Sequence, residues 1–147
     1  MAVKRIDPDE AARLVEQGWR YVDVRSVPEF EQGHPSGALN IPLMHFEPGR
    51  GMTPNAEFLL VFKGIFAPDD KLIIGCKSGG RSYRAAELAI REGYTNVVDM
   101  RGGFGGESDR TGQVTCVGWA ARGLPTSTEP DSSQTYDVLR KRTTSGS

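Results

Sequence analysis

The segment Lys71-Leu72-Ile73-Ile74-Gly75-Cys76-Lys77-Ser78-Gly79-Gly80-Arg81-Ser82 carries the strongest strand signal in the chain. Its apolar residues Leu72 to Ile74 run without polar interruption, which is typical of a strand covered on both faces of a parallel sheet. The glycines after the cysteine predict a tight loop, and residues Arg81 to Arg91 predict a helix ended by Gly93. This strand–loop–helix unit indicates an α/β fold.

Strand and helix signals alternate on both sides of this unit. Strands are predicted at Val3–Ile6, Tyr21–Val24, Gly37–Pro42 and Asn96–Met100. Helical segments are predicted from Asp7 to Gly18, at Pro28–Gln32 and at Asn55–Gly64, and loops at Glu47–Met52 and Arg101–Thr115. Such alternation implies right-handed crossovers. The predicted fold class is a small α/β domain with a parallel sheet flanked by helices on both faces.

The length of 147 residues fits one domain with a loose end. We expect the domain to cover residues 1–128. Serine and threonine dominate from Thr126 onward, so residues 129–147 are predicted to form a tail, either flexible or with a short helix at Tyr136–Arg142. The charged run Arg140-Lys141-Arg142 is interpreted as solvated.

Composition limits the partners and the location. The formal net charge is -1, so no whole-molecule field attracts nucleic acid or an anionic membrane. No apolar run approaches the roughly 20 residues of a membrane-spanning helix, and the first residues lack the apolar stretch of a secretory signal. We therefore expect a cytoplasmic protein. Its two cysteines, Cys76 and Cys116, lack zinc-ligand spacing and are expected to be free thiols, with no bound metal.

The chemistry-bearing residue of the central segment is Cys76. Gly79 and Gly80 let the backbone curl, so that several N–H groups can point at an anion. The helix that starts near Arg81 adds its positive N-terminal end, and Lys77 and Arg81 add full charges. This setting favours a nucleophilic thiolate. The alternative is that Cys76 is a small buried apolar residue at the end of a strand.

The loop Cys76–Ser82 resembles the rhodanese active-site pattern Cys-x-x-Gly-x-Arg-Ser/Thr. Further segments resemble signatures of the same family, in the same order along the chain: Asp23-Val24-Arg25 with Glu29-Phe30, Gly33-His34-Pro35-Ser36-Gly37-Ala38-Leu39-Asn40-Ile41-Pro42, Gly102-Gly103, and Gly118-Trp119 with Gly123-Leu124-Pro125. The resemblance covers roughly residues 3 to 126, and four segments in order are specific where each alone is weak. The predicted domain is thus a rhodanese domain.

The resemblance implies a sulfurtransferase that carries sulfane sulfur as a persulfide on Cys76. A donor such as thiosulfate supplies the sulfur, and cyanide or a thiol, including a protein thiol, accepts it without a cofactor. The implied substrate-binding residues are Lys77, Ser78, Gly79, Gly80, Arg81 and Ser82. Arg81 is expected to orient the loop or the donor, Lys77 to attract the anion, and Ser82 to hydrogen-bond the loop or cap the helix.

The same residues are also compatible with other functions. A persulfide carrier with little turnover of its own stays open, as does a rhodanese-like interaction or regulatory module, although the presence of Cys76 argues against the latter. Phosphatases resemble Cys-x5-Arg, whereas four residues separate Cys76 from Arg81 here. This tighter loop suits a single sulfur better than a phosphate dianion, which disfavours phosphatase or arsenate reductase activity. Physiological donor, acceptor, pathway and oligomeric state stay open.

Several residues outside the loop are given structural roles. Arg25 is expected to pair with a carboxylate such as Glu29, and His34 to set its own loop. Cys116 is interpreted as a structural cysteine, with resolution of the Cys76 persulfide as the alternative. Residues Phe104 to Cys116 depart from the family pattern as an insertion. It either shapes access to the active site or contacts a partner, or is a neutral surface loop.

Overall fold

The structure of the chain, a computed structural model, describes residues 3–78, 80–129 and 134–145. For residues 144 and 145 it describes the backbone only. Its elements in chain order are β1 (Lys4–Ile6), α1 (Pro8–Glu16), β2 (Arg20–Asp23), α2 (Val27–Glu31), β3 (His34–Pro35), β4 (Leu39–Asn40), β5 (Met44–Glu47), β6 (Gly51–Pro54), α3 (Phe58–Ile65), β7 (Lys71–Gly75), α4 (Gly80–Arg91), β8 (Asn96–Met100), β9 (Glu107–Ser108), β10 (Val114–Cys116), β11 (Thr126–Ser127) and α5 (Tyr136–Ser145).

Five strands form a parallel sheet in the order β1-β8-β7-β2-β4. Strand β7 lies at its centre, and its residues Leu72, Ile73 and Ile74 are fully buried. Ile74 packs in a cluster with residues of α3, α4 and α5, whereas Ile73 packs in a second cluster with residues of α1 and α2. Helices therefore cover both faces of the sheet, which confirms the predicted fold class.

Local sequence signals account for how the first helix is bounded. The Asp7 carboxylate accepts a hydrogen bond from the backbone N–H of Glu10 at 2.9 Å, and Pro8 occupies the first helical position. An N-cap oxygen satisfies one of the amide groups that a helix start leaves unpaired. Gly18 follows the helix with φ +100°, a conformation that favours glycine. These features confirm the predicted helix.

Two predicted loops contain hairpins. Residues Glu47–Met52 were expected to be a loop, but β5 and β6 pair antiparallel there, with Phe46 opposite Met52. Likewise β9 pairs with β10 inside the predicted loop Arg101–Thr115. The strands of both hairpins are short. Neither hairpin therefore shows the alternation of apolar and polar residues by which a longer strand is predicted. The predicted strand Gly37–Pro42 is shorter in the structure, because only Leu39 and Asn40 pair with β2.

The C-terminal helix α5 packs on the same core as the sheet. Leu139 is fully buried, and the Tyr136 hydroxyl accepts a hydrogen bond from the Asn55 side-chain amide at 3.0 Å. In the predicted solvated run, Arg140 forms an ion pair with Glu57 at 2.9 Å. A helical stretch of the predicted tail is therefore packed against the domain. Other tail residues, 130–133 and 146–147, lie outside the described residues.

Candidate active site

Cys76 directly follows the central strand, at the carboxyl edge where open parallel sheets place their ligands. It is 1% exposed, and its thiol donates a hydrogen bond to the hydroxyl of Ser82 at 3.3 Å. Ser82 is itself fully buried in the first turn of α4. The strand end is tightly packed, because a side chain at Gly75 would overlap the Tyr21 hydroxyl. The candidate nucleophile is thus held between the end of β7 and the start of α4.

The other predicted loop residues are distributed around this cysteine. Lys77, Ser78 and Gly80 are exposed, and Arg81 is partly buried. Gly79 lies outside the described residues, so the expected cradle of backbone N–H groups stays a prediction. The structure therefore brings together a buried thiol, an exposed lysine beside it and the beginning of a helix.

Arg81 forms a two-bond ion pair with Glu29 of α2. The guanidinium donates to the two carboxylate oxygens at 2.7 and 3.0 Å, a geometry that fixes both side chains. Glu29 also accepts hydrogen bonds from the backbone N–H and the hydroxyl of Ser26, at 3.1 and 2.9 Å, and so completes a capping box. Arg81 thereby ties the start of α4 to α2, an arrangement suited to orienting the loop.

Arg25 was expected to pair with a carboxylate such as Glu29, and the structure confirms a carboxylate partner but not Glu29 as that partner. Arg25 instead pairs with Asp23, with 2.8 Å between Nη2 and Oδ2, and both residues are buried. Asp23 lies two residues earlier, and its carboxylate already accepts the backbone N–H of Arg25 at 3.0 Å. The local turn therefore brings the nearer carboxylate to Arg25 and leaves Glu29 to Arg81.

The Glu29 carboxyl has a strongly shifted pKa. Burial raises it, but the hydrogen bonds from Arg81 and Ser26, together with the charge of Arg81, outweigh burial and lower the pKa of Glu29 to about 2. A carboxyl whose pKa is lower in the folded state stabilises the fold above its unfolded pKa, and this stability is lost as pH falls through the folded pKa. The ion pair thus contributes fully above pH 4.5 and loses its contribution toward pH 2.

We expect Glu29→Gln to be less stable than wild type by about 1–2 kcal/mol at pH 7, since this partly exposed pair is screened by solvent. The difference should shrink between pH 4.5 and pH 2, because wild type loses the pair there as well. Denaturant unfolding at several pH values measures it. The control is Glu16→Gln at the exposed end of α1, which should follow wild type. A pH-independent difference would contradict the proposed ionic contribution.

Arg25 belongs to a buried polar network. The Arg25 guanidinium donates to the carbonyl of Gly33 at 2.6 Å, and the Asn40 amide donates to the carbonyls of Asp23 and Arg25, both at 3.0 Å. His34 is fully buried; its ring stacks on Phe30 at 3.8 Å and its Nδ1 hydrogen-bonds the Phe30 carbonyl at 2.7 Å. These contacts support structural roles for Arg25 and His34.

A second segment, Gly102–Gly106, closes on the loop from the other side. The backbone N–H of Phe104 donates to the carbonyl of Cys76 at 2.7 Å, and that of Gly105 donates to the carbonyl of Lys77 at 2.8 Å. The Phe104 ring also packs against the Arg25 guanidinium, 4.5 Å from the ring centre. Sequence reasoning missed these supports, although the glycine pair at Gly102-Gly103 signalled a close backbone approach.

Beyond this contact the insertion forms the β9–β10 hairpin. Cys116 is 8% exposed, and its sulfur lies 3.6 Å from Nη2 of Arg122. Both cysteines are free thiols. Burial supports a structural Cys116, and any part in redox chemistry stays a hypothesis. The insertion therefore begins against the active-site loop, and its influence on access stays a prediction.

Asp99 and Arg5 were not singled out from the sequence. Asp99 is fully buried at the end of β8, and its Oδ2 accepts a hydrogen bond from Nε of Arg5 at 2.8 Å. Burial raises the pKa of Asp99, and the hydrogen bonds from Ser82 and Arg5 offset only part of that rise. Asp99 thus links Ser82, which contacts the Cys76 thiol, to Arg5 on the edge strand β1.

The fold is that of a rhodanese-like domain, and the matching protein family is the same. The family described as Rhodanese-like domain matches residues 7–106, and the chain belongs to this family. "Thiosulfate sulfurtransferase 16, chloroplastic" of Arabidopsis thaliana is 40% identical over 113 residues, which cover 77% of this chain and 83% of the relative. "Senescence-associated protein DIN1" of Raphanus sativus is 42% identical over 94 residues, covering 64% of this chain but only 51% of that relative.

A solved structure agrees with the fold. The crystal structure of Rv0390 from M. tuberculosis superposes with a TM-score of 0.73 at 28% identity and covers 88% of this chain and 100% of that one. Among the described residues, no helix is long and apolar enough to cross a membrane, and no group of three or more acidic, histidine or cysteine side chains could hold a metal ion. The cytoplasmic location stays a prediction, and the Arabidopsis relative is named as chloroplastic.

Proposed function

We propose that this protein is a sulfurtransferase that moves sulfane sulfur from a donor such as thiosulfate to a thiophilic acceptor through a Cys76 persulfide. The observation that carries the proposal is the position of the Cys76 thiol at the carboxyl end of the central strand, 3.3 Å from the Ser82 hydroxyl. The loop around it is fixed by the Arg81–Glu29 pair on one side and by Phe104 and Gly105 on the other. Relatives named thiosulfate sulfurtransferase support the same reaction class.

In the first half-reaction, the Cys76 thiolate attacks the outer sulfur of thiosulfate. A new S–S bond forms at Cys76, the S–S bond within thiosulfate breaks, and sulfite leaves with its electron pair. In the second half-reaction the acceptor attacks the outer persulfide sulfur, and Cys76 returns to a thiolate. With cyanide as acceptor the product is thiocyanate.

Ser82 is suited to both protonation states of Cys76. Its hydroxyl accepts a hydrogen bond from the thiol. Since a hydroxyl can rotate and donate as well as accept, Ser82 can turn its proton from the Asp99 carboxylate to the thiolate once the thiol proton has left to solvent. Ser82 therefore stabilises the reactive form without moving its oxygen.

Arg81 and Lys77 are proposed to have different roles, one toward the loop and the other toward the sulfur donor. The Arg81 guanidinium is engaged with Glu29, so its role is to hold the loop. Lys77 is exposed beside Cys76 and is the cation that meets an incoming anionic donor. Ser78, Gly79 and Gly80 complete the proposed donor-binding segment with their backbone N–H groups.

The test is turnover of thiosulfate with cyanide, followed by thiocyanate formation, together with intact-mass analysis after thiosulfate alone. We expect steady turnover and a protein mass increased by one sulfur atom. A sulfur adduct with negligible turnover would favour a persulfide carrier that waits for a protein acceptor. A folded protein with neither adduct nor turnover would leave only the interaction-module alternative.

A further inference from the structure

A shallow cavity of about 400 Å³, wide open to solvent, lies directly beside the candidate active-site loop. Ser78 and Gly80 of the loop line it, together with Tyr83 of α4, Arg5 of β1 and Glu107 of β9. Ser78 and Gly80 follow the candidate nucleophile by two and four residues. Pockets of this size accommodate small molecules. The cavity is therefore close enough to the loop to hold part of a substrate.

Arg5 supplies this cavity with a fixed cation. Its Nε donates to the buried Asp99 carboxylate at 2.8 Å, and its guanidinium lies 5.4 Å from the centre of the Tyr83 ring. Within the part of the chain that the structure describes, Nη1 and Nη2 of Arg5 make no hydrogen bond. A guanidinium held in this way presents two parallel donors, which match the two oxygens of a carboxylate.

Glu107 supplies the same cavity with an anion. Its Oε2 accepts hydrogen bonds from Arg101 at 3.3 Å and from Thr115 at 3.0 Å. Residues 3–78, 80–129 and 134–145 place no donor on Oε1, and they form no ion pair between Glu107 and Arg5. Burial raises the pKa of Glu107, but the hydrogen bonds from Thr115 and Arg101 outweigh it and lower the pKa, so the carboxylate is ionised at neutral pH.

We propose that this cavity binds the amino-acid end of a small thiol acceptor, a molecule that carries an α-carboxylate, an α-ammonium group and a thiol. The carboxylate pairs with Arg5, the ammonium group pairs with Glu107, and the thiol reaches the outer sulfur on Cys76. This inference rests on the proposed function, because it assigns the acceptor of that reaction. An acceptor with one charge engages only Nη1 and Nη2 of Arg5 or only Oε1 of Glu107, and so gains one of the two contacts, which disfavours it.

The transfer step is an exchange between sulfur atoms. The acceptor thiol loses its proton to solvent, and the thiolate attacks the outer sulfur of the Cys76 persulfide. The bond between that sulfur and Sγ of Cys76 breaks, and Cys76 leaves as a thiolate. The acceptor departs as a persulfide, so the oxidation state of the protein is unchanged over one turnover.

The first experiment compares four acceptors with thiosulfate as the common donor: cysteine, 3-mercaptopropionate with only the carboxylate, cysteamine with only the ammonium group, and 2-mercaptoethanol with neither. The uncatalysed rate is subtracted, and kcat/KM is expressed per thiolate. We expect cysteine to exceed each singly charged thiol by about tenfold, the size of one charge-assisted contact at a partly exposed site. Equal values for all four thiols would overturn the proposal.

The same comparison of acceptors is repeated in two variants. In Arg5→Gln the carboxylate partner is lost, so cysteine should be no better than cysteamine. In Glu107→Gln the ammonium partner is lost, so cysteine should be no better than 3-mercaptopropionate. Because each result is a ratio within one variant, a general loss of turnover does not affect it. Exposed control variants Arg91→Gln and Glu16→Gln should keep both ratios, and retention of both ratios in the test variants would contradict the proposal.

Binding of S-methylcysteine, measured by calorimetry, separates this inference from the proposed function. This probe keeps both charges but cannot accept sulfur. We expect wild type to bind it and both cavity variants to bind it at least about tenfold more weakly. Binding without any thiosulfate turnover would overturn the proposed function and support the cavity assignment. Turnover with cyanide but no binding of the probe would overturn the cavity assignment alone.

Discussion

Cys76→Ala is expected to reduce turnover of thiosulfate with cyanide by at least about a thousandfold, because removal of a covalent nucleophile eliminates the intermediate rather than weakening it. The sulfur adduct formed with thiosulfate should disappear as well. The substitution removes one buried sulfur atom next to Ser82. Its effect on stability should therefore be small beside its effect on turnover. Initial rates and intact mass measure the two expected losses.

The matched control is Cys116→Ala, which removes the other buried thiol. This variant should keep the sulfur adduct and most of the turnover. Cys116 contacts Arg122 and Gly102. Among the described contacts it touches no residue of the loop Cys76–Ser82. Retention of the sulfur adduct with loss of turnover in Cys116→Ala would indicate that Cys116 resolves the persulfide. Full turnover in Cys76→Ala would exclude Cys76 as the sulfur carrier.

Gly103→Ala is expected to lower both stability and turnover, because no space exists for a methyl group at this position. A Cβ there would lie 2.5 Å from the carbonyl oxygens of Cys76 and Lys77, and the backbone has φ +60°. Backbone atoms cannot rotate away as a flexible side chain can, so the loop itself must move. We expect a destabilisation of about 2–5 kcal/mol from the combined clash and left-handed strain. Turnover should fall about tenfold or more as the loop loses its geometry.

Gly112→Ala separates the clash from the strain. Gly112 has φ +87°, but nothing lies within 4 Å of the position of its Cβ. This control should show only the conformational penalty, about 1–2 kcal/mol, and normal turnover. Thermal unfolding and kcat measured on both variants give the comparison. Equal stability and equal kcat in the two variants would indicate that the contact between Gly103 and the active-site loop does not affect function.

Much of the candidate site was predictable because it is contiguous in the chain. The apolar run of β7, the glycines after Cys76 and the helix that follows are all local signals, and their order alone defines a strand–loop–helix junction. The structure confirms the strand and the helix within one residue of the predicted bounds. Chemistry confined to one short segment requires no knowledge of how distant segments pack.

Short paired strands were not predictable in the same way. The β5–β6 hairpin leaves Phe46 and Met52 partly exposed and opposite each other, with 51% and 39% exposure. Strands of this length carry too few residues for an alternating pattern to stand out. They are stabilised by their partner strand, and that partner is not evident from either strand alone.

Local sequence patterns were enough to establish the class of fold, the position of the thiol at the end of the central strand, and the family to which the chain belongs. Which charged side chains meet depends on the folded arrangement. Arg81 pairs with Glu29 across 52 positions, and Arg5 pairs with Asp99 across 94. Several carboxylates are available to each arginine in the sequence, and the choice depends on which segments the packed core brings within hydrogen-bond distance. Contacts between distant segments therefore determine the charged surroundings of Cys76, whereas the local sequence determines its position at the end of the central strand.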